Sequence, residues 1–252
     1  MTSEMEPKKS RECKLLGVDK NPWIDHTSFR APGDVVLDLT TGGSVVRLGG
    51  GLRQEGDSIV VTRPGRMRQT KPNKYWVEGS QKRYVPNVED GVLGVVTDCR
   101  EAFSVDIRAS VSALLPRLSF EGATRRNAPN LQVGALVYAR VVKSHRDINP
   151  ELSCMDVTGK SAGFGPLKGG YLFECSTGLA RALLSKPTCP VLEALGKSLS
   201  YEIAVGLNGR VWVTAESPAT IVAVSNAISN AELLSPAQQH ILVQRVIEGM
   251  KY

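Results

Sequence analysis

The segment from Phe120 to Arg126 (FEGATRR) places an aromatic residue close to two adjacent arginines in a polar loop. Cationic side chains neutralise phosphates, and flat rings or guanidinium planes stack on the splayed bases of single-stranded RNA. The segment therefore predicts an RNA contact. The candidate RNA-binding cations lie in this loop, just before it, or in the predicted strand that follows it: Arg117, Arg125, Arg126, Arg140 and Lys143.

A structural interpretation competes with the chemical one for these side chains. Phe103, Phe120 and Tyr138 fit a hydrophobic core better than a base-stacking surface, and the arginines would then only keep the surface hydrated. Trp212 lies between two valines in a predicted strand, where a buried anchor is commoner than a stacking platform. The sequence thus favours burial for the rings and leaves both interpretations open for the cations.

Catalytic and metal-binding motifs are not apparent in the sequence. His26, His145 and His240 have no H-x-x-x-H or H-E-x-x-H spacing, and no G-x-S-x-G nucleophile motif occurs. The five cysteines form no CxxC pair, which favours reduced thiols over a zinc knuckle or a disulfide framework. We therefore predict no catalytic residue, no metal site and no cofactor. The alternative is a paired-carboxylate site whose members converge only in the folded chain.

The composition is that of a globular protein with a mild excess of positive charge. The 252 residues include 31 Lys and Arg against 25 Asp and Glu, a formal net charge of +6. This excess is compatible with a phosphate-rich partner but does not require one. The first eleven residues are polar, without the apolar core of a secretory signal, and no run approaches the about 18 apolar residues that span a membrane. We expect a soluble intracellular protein with no membrane partner.

The elements that would position these residues fall into successive segments. Residues 1–30 have no clear period and predict a flexible or extended lead-in. Residues 31–86 contain short β-prone runs separated by glycine and proline, the last of them at residues 82–86, and predict a small N-terminal β-module. Residues 87–158 contain five predicted strands with a basic loop late in the order, which is typical of an OB-fold barrel.

Residues 159–252 combine strands with helices, so the whole chain is predicted to be a multidomain β plus α/β protein. A glycine-rich bridge, Gly159 to Gly165, precedes a strand and a helix for which Thr177 is the expected N-cap. A second helix starts at Pro190, and an Asn-Gly turn predicts a hairpin with strands at 201–205 and 210–214. Two further helices should open at the Ser-Pro pairs, the first with an apolar face made of Ile221, Val224, Ile228 and Leu233.

This order of domains resembles the S1/KH-type cap subunits of the RNA exosome over nearly all of the chain from about residue 30. The motifs that carry the resemblance are residues 82–86 (KRYVP), 118–124 (LSFEGAT), 159–165 (GKSAGFG) and 206–213 (GLNGRVWV). The last is similar to the GxNG signature of that family. The resemblance implies an S1-type OB-fold five-stranded barrel in residues 87–158 and a KH-like domain in residues 159–252.

In that family, three cap proteins sit on a ring of six RNase PH-like subunits and form the entry of a channel for RNA. The resemblance therefore implies a non-catalytic RNA-binding subunit. Its partners would be RNA, the ring and other cap subunits, and the 3′→5′ ribonucleases of the complex. It also implies that the N-terminal module grips the ring while the barrels line the entry. The implied roles are rRNA maturation, RNA surveillance and mRNA turnover, in the nucleus, the nucleolus and the cytoplasm.

The C-terminal domain departs from an ordinary KH domain in one respect. KH domains hold the RNA backbone with a GxxG loop, which lies between two helices, whereas Gly206 to Gly209 lies between two predicted strands. We therefore expect a tight hairpin turn and no phosphate clamp there. The resemblance suggests instead a structural interdomain motif that packs against the barrel, made of Gly206, Asn208, Gly209 and Trp212.

Two other functions remain open at this stage. The chain could be a free-standing S1-type RNA-binding factor in translation or RNA processing, or a hydrolytic enzyme whose site no motif reveals. Stable association with other subunits separates the first from a cap subunit, and a ribonuclease assay tests the second.

Overall fold

The computed structural model describes residues 29–39, 45–70, 73–79, 83–145, 148–185 and 189–249. The chain divides into two compact units, Met1–Glu78 and Gly79–Tyr252. All but the last two residues of the predicted lead-in, 1–30, lie outside the described residues. Within the described part, no helix is long and apolar enough to cross a membrane.

The first unit consists of two small sheets. One has the order β1 (Phe29–Arg30), β6 (Gly65–Thr70), β7 (Lys74–Glu78), β3 (Arg47–Leu48), and the other has the order β2 (Val35–Asp38), β5 (Ser58–Val61), β4 (Leu52–Glu55). Strand residues alternate between two faces, and the buried side chains follow that period. They are Ile59, Val61, Met67 and Val77.

The strand predicted at residues 82–86 is wrong. Residues 83–87 form no strand, and Lys82 lies outside the described residues. Tyr84 is buried in the core of the barrel, where its hydroxyl donates a hydrogen bond to Asp90 Oδ2 at 2.6 Å. The β-prone composition of this segment therefore reflects a buried ring.

The second unit begins with the predicted five-stranded barrel. Its strands are β8 (Gly91–Cys99), β9 (Ala102–Asp106), β10 (Ala113–Pro116), β11 (Leu136–His145) and β12 (Ile148–Ser153). Strand β12 pairs parallel with β10 and antiparallel with β11, which closes the sheet. Residues at every second position fill the interior, among them Val92, Phe103, Val105, Leu115 and Val141. This closed sheet is the OB-fold arrangement that the strand count predicts.

A short strand, β13 (Gly165–Leu167), extends the barrel sheet by pairing with β11. It follows the predicted glycine-rich bridge. The bridge is thus tied to the barrel at its end and leads into the next domain through the Gly169-Gly170 turn.

The C-terminal domain has the order β14 (Tyr171–Glu174), α1 (Thr177–Leu184), α2 (Pro190–Ser198), β15 (Glu202–Gly206), β16 (Arg210–Thr214), α3 (Pro218–Asn230), α4 (Pro236–Gly249). The antiparallel sheet runs β14-β16-β15. Phe173, Val205, Val211 and Val213 lie on the face that packs against the helices. Strand alternation puts Arg210 and Trp212 on the opposite face.

Two local expectations in this domain are wrong. The N-cap of α1 is Ser176 and not Thr177. The Ser176 Oγ accepts a hydrogen bond from the Leu179 N–H at 3.0 Å, and Thr177 is the first residue of the helix. Leu233 does not extend the apolar face of α3. It ends a 3-10 turn, Ala231–Leu233, and is 94% exposed.

Candidate nucleic-acid interface

The Arg117 side chain is held against the barrel by hydrogen bonds to two backbone carbonyls and by contact with a phenylalanine ring. Its Nη2 donates to the carbonyls of Arg100 at 2.8 Å and Cys99 at 3.1 Å, and its Cζ lies 4.8 Å from the Phe103 ring centroid. These contacts fasten the start of the predicted RNA-binding loop to the turn between β8 and β9. The structure therefore shows Arg117 as an anchor of the loop.

Arg140 and Lys143 on β11 have carboxylate partners. Arg140 is 13% exposed, with Nη1 at 2.5 Å from Glu89 Oε1 and Nε donating to the Met155 carbonyl. Lys143 is 74% exposed and pairs with Glu151 at 2.7 Å. Exposed ion pairs are worth little, so Lys143 can exchange its carboxylate for a phosphate. Arg140 would have to leave a largely buried position to do so.

Arg125 and Arg126 are both exposed and have no partner among the residues that the structure describes. They lie on a turn in which the Asn127 N–H is bonded to the Thr124 carbonyl at 3.1 Å. The five predicted cations therefore differ in how freely their side chains can bind a phosphate. These two guanidinium groups can bind phosphate without breaking an internal contact.

The aromatic residues near the loop are mostly interior. Phe103 and Phe120 are 0% and 6% exposed and meet edge to face, with ring centroids 6.4 Å apart. Tyr138 is half-buried and lies against Phe164 at 4.9 Å. Base stacking on Phe103 or Phe120 is thus blocked, which leaves the arginines as the candidate RNA contacts of this loop.

Lys160 is a further cation beside the loop that the sequence did not single out. The Glu121 carboxylate accepts a hydrogen bond from the Ser161 N–H at 2.9 Å, which joins the loop to the turn that contains Lys160. Asp156 Oδ1 accepts from the N–H groups of Thr158 and Lys160, and its bonds to Thr158 and Lys160 lower its pKa. The exposed Lys160 side chain is without a partner in the described part of the chain. The D-x-T-x-K spacing, typical of an Asx turn, was the available signal.

Asn208, the central residue of the GxNG segment, is 0% exposed and bonds to the barrel. Its Nδ2 donates to the carbonyls of Leu93 at 2.7 Å and Ile107 at 3.0 Å, and its Oδ1 accepts from the Leu93 N–H at 3.3 Å. The turn at Leu207 adds a backbone bond to the Gly91 carbonyl at 2.8 Å. One side chain thus satisfies three backbone groups of another domain.

The two glycines of the segment lie where a side chain has no room. A Cβ on Gly206 would come within 2.7 Å of the Leu93 nitrogen, and one on Gly209 within 2.5 Å of the Cys175 carbonyl oxygen. Gly209 also has a φ of +76°, in the region that favours glycine. Glycine at position 206 therefore allows the hairpin to approach the barrel, and glycine at position 209 allows the turn to pack against the end of β14.

Charged residues flank Asn208 at the same contact. Arg210 donates to the Asp106 carbonyl and to Asp106 Oδ2, both at 2.6 Å. Arg108 donates in the other direction, to the carbonyls of Cys175 and Gly209. Burial alone would raise the pKa of Asp106, but the bonds from Arg210 and Arg108 outweigh it and lower the pKa below its ordinary value of 3.8.

Trp212 contacts the chain that enters the C-terminal domain. It is 5% exposed, and its Nε1 donates to the Gly169 carbonyl at 2.9 Å. A Cβ on Gly170 would lie 2.6 Å from the same nitrogen. The indole therefore holds the turn between β13 and β14.

The loop between α1 and α2, where a KH domain carries its GxxG motif, reads Ser185-Lys-Pro-Thr-Cys189 and contains no glycine. In the described part of the chain, no group of three or more His, Cys, Asp or Glu side chains could hold a metal ion. The exposed cations beside the barrel remain the candidates for contact with RNA in this unit.

Three family models match successive parts of the chain. Residues 46–83 match "Exosome complex exonuclease Rrp40 N-terminal domain", residues 84–165 match "Exosome complex component RRP40, S1 domain", and residues 170–219 match a KH domain. Exosome complex component RRP40 of Drosophila melanogaster is 45% identical over 74% of this chain and 81% of its own length. Its Schizosaccharomyces pombe counterpart is 42% identical over 84% of this chain and 91% of its own length.

A solved structure shows the same fold. The crystal structure of a protein described as an exosome complex RNA-binding protein superposes with a TM-score of 0.56 at 21% identity. The superposition covers 67% of this chain and 98% of the solved chain.

Proposed function

The chain belongs to the exosome complex component RRP40 family, and from that premise we propose that it is an RNA-binding cap subunit of the RNA exosome. In this role it helps to assemble the ring and guides RNA into the channel for 3′→5′ processing and degradation. The observation that supports the RNA contact is the pair of exposed guanidinium groups of Arg125 and Arg126 on an anchored loop, which have no partner among the described residues. Lys160, on the adjoining turn, adds a third cation.

The GxNG segment serves in this proposal as a connector. The bonds from Asn208 to Leu93 and Ile107 fix the KH-like domain on the barrel and thereby fix the barrel's orientation. Gly206 allows the close approach to the barrel, Gly209 allows the tight turn, and Trp212 holds the turn that leads into the domain. RNA would contact the barrel rim, and the KH-like domain would act as its support.

We propose that the subunit does not catalyse RNA cleavage. Carboxylates around the barrel already have structural partners: Glu89 binds Arg140, Asp106 binds Arg210, Glu121 binds the Ser161 N–H, and Asp156 closes its own turn. A purified chain with ribonuclease activity that disappears when these carboxylates are replaced would contradict this proposal.

The proposed partners are the RNase PH-like ring subunits, the other cap subunits and the ribonucleases of the complex, in the nucleus, nucleolus and cytoplasm. Affinity purification of the tagged chain followed by mass spectrometry tests this assembly. Recovery of the chain without exosome subunits would favour the free-standing RNA-binding factor.

The RNA contact is tested by a salt titration of oligouridine binding with Arg125→Ala/Arg126→Ala. Each phosphate contact contributes about 0.7 to the slope of log K against log salt for single strands, so the double variant should lose about 1.4 from that slope. Lys197→Ala/Arg245→Ala, which removes two exposed cations from helices α2 and α4, is the matched control. An unchanged slope in the loop variant would place the RNA contact elsewhere.

A further inference from the structure

The sheet β1-β6-β7-β3 of the first unit has two different faces. Met67 and Val77, directly opposite each other on β6 and β7, are buried and define the inner face. Cross-strand partners share a face, so the register assigns the outer face in three rows. The rows are Phe29, Arg66 and Glu78; Arg68 and Trp76; and Thr70, Lys74 and Arg47.

The outer face carries an excess of cations. Arg47, Arg66 and Lys74 are exposed and have no partner among the residues described in this structure. Arg68 pairs with Glu78, with 2.8 Å between Nε and Oε2. The three rows thus contain four cations and one carboxylate, and the carboxylate already has its partner.

Two aromatic rings lie among these cations. Phe29 is 68% exposed on the edge strand, and Trp76 is half-buried on the strand between β6 and β3, opposite Arg68. Sheet faces that bind single-stranded nucleic acid combine stacking rings with cations that reach the phosphates. Tryptophan, phenylalanine and arginine are also common at protein interfaces, so the argument for RNA is the excess of cations without carboxylate partners in the described part of the chain.

We propose that this outer face is a second contact surface for single-stranded RNA. Bases stack on Trp76 and Phe29, and Arg47, Arg66 and Lys74 bind phosphates. This inference rests on the proposed function for the nature of the ligand, but it uses a unit other than the one that contains Arg125 and Arg126. The ring contact implied for the N-terminal module would then use the remaining surface of that module.

The test measures binding of fluorescein-labelled oligouridine to the full chain by anisotropy, as a function of salt. Arg66→Ala/Lys74→Ala should reduce the salt slope by about 1.4, as expected for two phosphate contacts on a single strand. Arg66→Lys/Lys74→Arg should keep the slope because it keeps both charges. Lys197→Ala/Arg245→Ala is again the control, and the melting temperature of every variant is measured.

A second measurement does not depend on the folding of the alanine variants. Stacking on Trp76 should quench tryptophan fluorescence of the wild-type chain when unlabelled oligouridine is added, and Trp76→Phe should remove most of that quenching. Equal quenching in the wild type and Trp76→Phe would overturn the assignment of Trp76.

The outcomes separate this inference from the proposed function. If Arg66→Ala/Lys74→Ala keeps the wild-type slope while Arg125→Ala/Arg126→Ala loses part of it, the second surface is refuted and the barrel site stands. If neither pair changes the slope, both are refuted. If the outer-face variant binds RNA normally but no longer co-purifies with exosome subunits, the face is a protein interface and the inference is wrong.

Discussion

At the scale of single residues, loss of the Asn208 side chain is expected to destabilise the protein. Asn208→Ala leaves the Leu93 N–H and the carbonyls of Leu93 and Ile107 buried without their partner. Each unsatisfied group costs about 1–3 kcal/mol, so we expect a loss of about 3 kcal/mol or more in the free energy of unfolding. Urea unfolding measures it. Asn130→Ala, an exposed asparagine in the 121–135 loop, should change it by less than about 0.5 kcal/mol.

A second prediction at this scale concerns the pH dependence of Asp106. Its folded pKa is lowered from 3.8, so its contribution to stability is present above about pH 4 and is lost as the pH falls through the folded value. The carboxylate side chain is 44% exposed, so solvent screening limits that contribution to about 1 kcal/mol.

Asp106→Asn should therefore be less stable than wild type at pH 7, and the difference should be smaller at pH 3, below the ordinary pKa of 3.8. Urea unfolding at the two pH values checks this. Glu202→Gln, which removes an exposed carboxylate from β15, is the control. A difference that stays constant with pH would mean that the ion pair with Arg210 is not responsible.

At the scale of elements, the β16 strand links the hairpin to the chain that precedes it. Trp212→Ala removes a buried ring and the bond to the Gly169 carbonyl, a change that typically costs about 3–5 kcal/mol. We expect a lower melting temperature and poorer incorporation into the complex, with the salt slope of RNA binding unchanged. Trp212→Phe, which keeps a ring but lacks the N–H, should lie between. Normal melting and normal assembly of Trp212→Ala would contradict this role.

Elements were predictable from sequence where their cause is local. The Asn-Gly turn fixes a hairpin, and the alternation at residues 102–106 fixes strand β9. The strand prediction for residues 82–86 was wrong because Tyr84 packs into the core of the barrel instead of pairing in a sheet. Thr177 failed as an N-cap because Ser176, one residue earlier, supplies the side-chain oxygen.

The candidate site was less predictable, because availability depends on distant partners. Arg117 and Arg125 are equally basic in sequence, yet only Arg117 is bound to the β8–β9 turn. The pairing of Arg140 with Glu89 joins residues 51 positions apart. No local sequence pattern predicts such a contact. Composition therefore identified the loop, but only the folded structure shows which cations are free to bind phosphate.

At the scale of the whole molecule, the described surfaces differ in the role that we expect of each. The barrel loop and the outer face of the N-terminal sheet carry exposed cations, and the hairpin of the KH-like domain contributes hydrogen-bond donors that are directed into the protein. If both proposed surfaces bind RNA, they would do so through many weak phosphate contacts, which carry little sequence information. We expect preference for single strands over duplexes and little preference among bases.

The hydrogen bonds of Asn208 also constrain the order in which the chain can mature. They join residues separated by 101 and 115 positions. During synthesis, the barrel strands leave the ribosome well before the hairpin exists, and domains generally fold in that order. The backbone groups of Leu93 and Ile107 that bond to Asn208 therefore stay accessible to water until the hairpin has been synthesised. These hydrogen bonds can form only after translation has passed residue 208. A chain that stops short of this point would lack these three hydrogen bonds between its domains.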